Sequence, residues 1–360
     1  MWYKISMLRY ALSLTALALF QPPAAGPGPL AGLSDPHETH FKNVRQLTFG
    51  GENAEAYWSF DGKKLIFQHK DGQADADQIY TMNADGTERK LVSTGTGRCT
   101  CSYFLKNGKE IIFASTHGYS TAIPPEPDRS QGYTWPIYPY FAIYKANIDG
   151  SNLKPLFPKT VEAGKSFSYN AEATVRPDGK RIVFTSTKDG DLDLYSMKTD
   201  GTDVKRITNR VGYDGGAYYS PNGKKIVWRS SVLATDAEKA DYVRLLKQGL
   251  VRPSKMEIWV GDADGRHAKQ VTRNGAANFA PFFTPDGRKI LFASNQDDPK
   301  KRTFELYLIN LDGTNQERVT WGAQFDSFPM FSPDGRKLAW ASNRNGKDHE
   351  TNIFVADWAN

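Results

Sequence analysis

Six segments of this 360-residue chain run up to an Asp-Gly or Asn-Gly pair, and nine residues before each Gly stands Asn53, Cys99, Asn170, Asp214, Asn278 or Asp326. Two residues further on, the column reads Glu55, Cys101, Glu172, Gly216, Ala280 and Phe328. Residues two apart on a strand face one side. The two columns are therefore expected to share one surface, with Asn53, Glu55, Asn170, Glu172, Asp214, Asn278 and Asp326 as a ligand-binding set. Carboxylates gathered there (Glu55, Glu172, Asp214, Asp326) repel one another unless something positive sits among them. Oxygen-only donors suit a hard cation such as Ca²⁺, for which Glu55, Asn170, Asn278 and Asp326 are the expected ligands. An ammonium group or sugar hydroxyls would satisfy the same set, as would water and nearby Lys or Arg. Apart from this Ca²⁺ alternative no cofactor is expected. Cys99 and Cys101 occupy the same columns, as a local disulfide, a soft-metal pair or two buried thiols. The six His residues show no metal-ligand spacing.

The elements that carry these residues repeat. Each copy is an apolar strand, a Gly turn with basic residues after it, and a second apolar strand, as in Tyr57 to Phe67 around Asp61-Gly62. The others are Tyr103 to Phe113, Thr174 to Phe184, Tyr218 to Trp228, Phe282 to Phe292 and Met330 to Trp340, with Gly-to-Gly spacings of 46, 71, 44, 64 and 48. Asp-Gly and Asn-Gly between apolar runs are strong hairpin signals, because Gly accepts positive φ at no steric cost. A second Asp-Gly turn follows in five copies, at Gly86, Gly150, Gly201, Gly265 and Gly313. Each is preceded by a strand and followed by a short one. One unit is thus four antiparallel strands, a to d, and the fold class is all-β: a six-bladed β-propeller. The sixth copy ends near Trp358 without a strand d. Val44 to Thr48 fits that pattern, so the N-terminal strand is expected to close the last blade.

This repeat resembles the TolB-type propeller repeat (PD40, WD40-like) over about residues 44 to 358. The resemblance implies the fold far more firmly than an activity, because one fold hosts many functions. TolB carries an α/β domain ahead of its propeller, and some peptidases with similar propellers carry a hydrolase domain behind it. Here the propeller is expected to begin within about a dozen residues of the leader and to end with the sixth blade, with neither domain. Some six-bladed lactonases hold Ca²⁺ with Glu, Asn and Asp at the channel mouth. The ring described above is similar in residue type, although their repeats look different.

Blades 2 and 4 are longer. The distance between their two turn glycines is 42 residues, against 22 to 26 in the others. The extra residues, 118–140 and 231–255, fall between strands b and c, which puts both on the face where the d–a connections enter the channel. The first insertion is stiffened by prolines and carries Tyr133, Trp135 and Tyr138, suited to a partner interface or sugar stacking, or else to a lid over its own blade. The second is expected to hold a helix over 236–248. Thr235 and Glu238 form a capping box, and Tyr242, Leu245 and Leu246 make a stripe that docks on the propeller.

Composition bounds the rest. The chain is 39% hydrophobic and 24% charged, which is globular. Its +6 charge comes from 46 basic and 40 acidic residues that are interspersed, so no nucleic-acid patch is expected. Residues 1–33 read as a signal peptide and short linker: Lys4 and Arg9 precede an apolar run from Tyr10 to Phe20, too short to span a bilayer. Residues 34–360 are then one exported propeller, periplasmic or secreted, monomeric and without a membrane span after cleavage. There is no G-x-S-x-G, P-loop, G-x-G-x-x-G or H-E-x-x-H motif. The reading favoured over an enzyme is a module that binds a protein or peptide on its insertion face and channel mouth. The alternatives are a Ca²⁺-dependent hydrolase or lyase and a sugar-binding or sugar-cleaving propeller, with a small-molecule or sugar ligand.

Overall fold

A computed structural model describes residues 32–72, 75–128, 130, 132–322 and 325–359. The expected leader lies outside these residues except for its last two positions. The described residues form six four-stranded antiparallel sheets and one small two-stranded ribbon. Each blade's first strand lies innermost: Glu52–Trp58, Cys99–Phe104, Asn170–Val175, Asp214–Tyr219, Asn278–Phe283 and Asp326–Phe331. No helix among the described residues is long and apolar enough to cross a membrane.

The Gly turns work as their sequence demands. At Asp61-Gly62 the amide of Gly62 donates to Ser59 O at 2.9 Å, while Asp61 Oδ1 accepts from Ser59 Oγ at 2.7 Å and from Lys63 N at 3.1 Å. The carboxylate thereby fixes a turn whose Gly sits at φ 69. Glycine in the second turn has a different reason. A Cβ on Gly150 or Gly313 would stand 2.6 Å from the carbonyl oxygen of Val92 or Val271 on the outer strand of the preceding blade or its extension. Only a bare Cα allows the blades to pack this closely.

Five residues after each first turn Gly stands an aromatic: Phe67, Phe113, Phe184, Trp228, Phe292 or Trp340, each no more than 1% exposed. Burial of each contributes about 1.5–3 kcal/mol, and together they fill the wedges between blades. The ring closes through the N-terminus. Phe41–Gln46 pairs antiparallel with Asn352–Trp358, in register Phe41↔Trp358 and Gln46↔Phe354. This outer strand begins three residues earlier than the expected Val44–Thr48 because His40 and Phe41 add packing of their own. The His40 ring stacks on Trp358 at 4.6 Å and Phe41 on Trp340 at 4.7 Å.

The two insertions meet. Trp135–Pro136 from blade 2 pairs with Leu250–Val251 from blade 4, forming the small ribbon above intervening blade 3. The helix spans Asp236–Lys247 with both halves of the Thr235–Glu238 capping box present, and it buries Tyr242 and Leu245. Tyr242 joins Ile137, Tyr138 and Val251 in one core cluster, with Leu246 packed against it, so each insertion braces the other.

Candidate functional site

Every inner strand breaks its alternation at the same place. The register with strand b shifts between Ala54 and Tyr57, Thr100 and Tyr103, Ala171 and Thr174, Gly215 and Tyr218, Phe279 and Phe282, and Ser327 and Met330. Inside each shift one residue adopts left-handed backbone: Glu55 (φ 54), Cys101 (φ 48), Glu172 (φ 57), Gly216 (φ 60), Ala280 (φ 46) and Phe328 (φ 55). This is a β-bulge repeated around the axis. A non-glycine residue in this region costs roughly 1–2 kcal/mol, and strain of this kind concentrates where a fold must aim particular side chains.

The bulge separates the two columns expected to share one surface. The first column is not at the channel mouth. Asn53, Asn170, Asp214, Asn278 and Asp326 are all at most 1% exposed. The asparagines pin neighbouring blades together, and the aspartates tie the first strand of their own blade to the second. The Nδ2 of Asn53 donates to Thr351 O at 2.9 Å, that of Asn170 to Phe141 O at 3.1 Å, and that of Asn278 to Met256 O at 2.7 Å. Asp214 accepts the indole N–H of Trp228 at 3.0 Å, and Asp326 that of Trp340 at 3.1 Å. Asp326 also pairs with Arg344 at 3.0 Å. The four residues expected to ligate Ca²⁺ therefore do not converge: Glu55 faces the channel while Asn170, Asn278 and Asp326 are spent on these contacts. Among the described residues no group of three or more His, Cys, Asp or Glu is placed to hold a metal.

The second column lines the axis. Glu55, Cys101, Glu172, Gly216, Ala280 and Phe328 surround a narrow pocket of about 20 Å³, with Tyr57, Tyr218 and Arg229. Below it the aromatic rings of Tyr103, Tyr57, Tyr218 and Phe282 touch in series at centroid distances of 5.7, 5.8 and 5.2 Å and form a plug. Above it, on the insertion face, opens a cavity of about 770 Å³. One side of the cavity is aromatic, through Trp135, Phe279, Phe304, Phe325 and Phe328; the other is polar, with Glu52, Gln68, Asp77, Arg98 and Thr100.

Two carboxylates at the floor sit in unlike environments. Glu172 is saturated. It accepts from Tyr213 Oη at 2.7 Å, Thr185 Oγ1 at 2.6 Å and Gly216 N at 3.0 Å, and it pairs with the buried Arg229. Arg229 lies under the lid, 5.2 Å from the Trp135 ring and 5.7 Å from Phe279. Burial opposes its charge, but Glu172 and Tyr213 outweigh that and hold the guanidinium protonated. Glu55 has no such partner. Burial, with the nearby Glu172 and Asp77 charges adding, pushes its carboxyl up to about 7 against the opposing Cys101 hydrogen bond and Arg229 charge.

The cysteines are free thiols. The bulge turns them apart. Cys99 Sγ lies buried 3.4 Å from Ser115 Oγ, whereas Cys101 lines the axial pocket. Burial pushes the Cys99 thiol up to about 11, and burial together with the Glu55 and Glu172 charges pushes Cys101 well above the ordinary range. Neither is an activated thiolate. Of the insertion aromatics, Tyr133 is 65% exposed, Trp135 forms cavity wall, and Tyr138 is buried with its hydroxyl donating to Pro125 O at 2.6 Å. Tyr138 is therefore part of the lid's own core rather than a stacking surface. Sequence reasoning missed Arg229 and Phe279, which point at the site from the second and first strands of blades 4 and 5. Only the ribbon and the bulge bring them there, and neither has a local signature.

Residues 233–359 match the family described as PD40, TolB beta propeller domain. That match spans about a third of the chain, and the six-bladed propeller fold extends over the rest of the described residues. It is similar to an uncharacterized protein of Agrobacterium fabrum, 29% identical over 122 residues, which are 34% of this chain and 35% of that one. The chain spans about a third or less of the length of these curated relatives, including a dipeptidyl-peptidase 5 of Porphyromonas endodontalis, 25% identical over 231 residues, which are 56% of this chain and 33% of that one. Among solved structures, TolB from Acinetobacter baumannii superposes with a TM-score of 0.51 at 18% identity, over 85% of this chain and 64% of that one. A gluconolactonase from Xanthomonas campestris superposes with 0.58 at 12% identity, over 89% and 91%. Such identities speak to the fold alone, and the same fold evidently serves different chemistries.

Proposed function

We propose that this TolB-type propeller is an exported, periplasmic or secreted binding module that takes a segment of a protein partner into its insertion-face cavity. The observation that carries the reading is the 770 Å³ cavity itself, walled by aromatic rings and fenced by a ribbon built from two separate blades. Its volume lies in the range of ligand clefts, which suits a short chain segment rather than a flat protein surface. A rigid aromatic rim of Trp135 with the exposed Tyr133 supplies the kind of anchor that dominates binding energy. Lys4 and Arg9 ahead of the short apolar run Tyr10 to Phe20 support export.

Excising the whole blade 2 insertion would be a poor test, because Ile137 and Tyr138 belong to the core. The experiment instead isolates a partner from an envelope extract and titrates the purified pair. Trp135→Ala should weaken binding by at least about 2 kcal/mol, roughly thirtyfold, while Val243→Ser on the outer side of the helix should leave it unchanged. Equal affinity of the wild type and Trp135→Ala would remove the cavity from the account.

A further inference from the structure

The floor of the cavity holds one charge too few. Glu52 is 3.1 Å from Lys70 Nζ, Asp77 is 3.9 Å from Arg98, and Glu172 is paired with Arg229. Glu55 alone among the acidic lining residues has no cation within 4.0 Å among the described residues. Its hydrogen-bond donors are weak and uncharged: the Cys101 thiol, and Tyr57 Oη at 3.4 Å, longer than a normal O–H···O bond. An ionised carboxylate that is half-buried in protein without a counter-charge is costly. The fold nevertheless spends left-handed backbone on aiming this side chain at the axis.

Size selects among cations. The axial pocket at Glu55 is about 20 Å³, room for a group near the size of one water molecule. A compact –NH₃⁺ head fits that axial space, whereas a planar guanidinium fork would be held to the wider cavity above, which Glu55 also lines. A metal ion would need more than one free oxygen donor, and the neighbouring Glu172 is already saturated. The aromatic side of the cavity comes down to the same point. Phe328 lines both the pocket and the cavity above it, and its ring is 6.3 Å from Phe325. A carbon stem can lie along these rings while the head meets the carboxylate, with a cation–π contribution as it passes.

We infer that the floor of this cavity is a binding site for a single primary ammonium group, held by the Glu55 carboxylate with its carbon stem against Phe328 and Phe325. The inference rests on the peptide-binding reading and gives it a chemistry: the bound segment presents an amino terminus or a lysine side chain to the axis.

The test uses two small probes and three peptides on the full chain at pH 8, with Glu55→Gln as the variant and its melt as a check of folding. The small probes are phenethylammonium and its neutral counterpart 2-phenylethanol. The wild type should bind the ammonium at least about tenfold more tightly than the alcohol, and Glu55→Gln should bind the two alike. Equal binding of the two by the wild type, discrimination retained by Glu55→Gln, or no binding of phenethylammonium at tens of millimolar each overturns the inference. The peptides share a Gly-Phe-X-Phe-Gly-amide frame: acetylated with lysine at X, free-amino with glutamine, and acetylated with glutamine. Tighter binding of the first or the second identifies the source of the ammonium. If the neutral peptide binds as well as both charged ones, the ammonium site falls while peptide binding stands. If phenethylammonium is discriminated and no peptide binds, the site stands and the peptide reading falls.

Discussion

Replacing Glu55 with glutamine should make the protein more stable at pH 8 and leave it nearly unchanged at pH 5. The carboxyl titrates near 4.5 in an unfolded chain and about 7 in the fold, chiefly because it is buried. Between those values the native state binds more protons than the unfolded state, so this group's contribution favours folding at low pH and is lost as pH rises through about 7. The full difference corresponds to roughly 3 kcal/mol. The side chain borders an open cavity whose water screens it, so about 1–2 kcal/mol is expected. Glutamine keeps the shape of the protonated acid and cannot ionise. The other groups near Glu55 (Cys101, Glu172, Arg229 and Asp77) and the raised Glu305 on blade 5 are common to both proteins, so their titration largely cancels in the difference. Urea or thermal melts of both proteins at pH 5, 6, 7 and 8 give the assay, with an expected gain of a few degrees in Tm for the variant at pH 8. A variant that is less stable than wild type at pH 8, or a difference that does not grow with pH, would refute the claim that Glu55 sits there without a counter-charge.

Other outcomes follow from the same geometry. Gly216→Ala should cost about 1–2 kcal/mol, because it places a side chain in left-handed backbone with its Cβ 3.0 Å from the Arg229 guanidinium; Ala280→Gly, in the equivalent bulge, should be neutral or slightly stabilising, and both are read by denaturant melts. Arg229→Met should destabilise by about 3–5 kcal/mol, since Glu172 would stay buried without its cation, and Trp135 fluorescence should report a loosened lid. Asn170→Ala should lose about 1–3 kcal/mol of stability by removing the amide's bond to Phe141 O and the acceptor of Ser186 Oγ, yet leave phenethylammonium binding intact, because this amide pins blades and does not face the ligand.

How much of this was legible beforehand depended on the range of the signal. The turns, the four-strand unit, the closure by the N-terminal strand and the capped helix all rest on residues close in sequence or on repetition, and the pattern carries them. The aromatic position five after each turn Gly was visible in every copy for the same reason. The ring of oxygen donors failed at one point: alternation was carried across a bulge that only Gly216 hints at, since Glu, Cys, Ala and Phe at the other bulges are poor left-handed residues. The step put Asn170, Asn278 and Asp326 in the channel when they lie buried within and between blades. The pairing of Trp135 with Val251 joins residues far apart in the chain with two-residue strands. No periodicity can announce that contact, and with it went Arg229 and the shape of the cavity.

The central claim is that ligand enters from the insertion face and reaches the axial floor. Benzoylphenylalanine placed at Phe328, on that floor, and at Phe60, on the opposite mouth of the channel, tests it by photocrosslinking to the isolated partner. The account predicts an adduct from position 328 that Trp135→Ala suppresses, and none from position 60. An adduct from position 60 with none from 328 would contradict it.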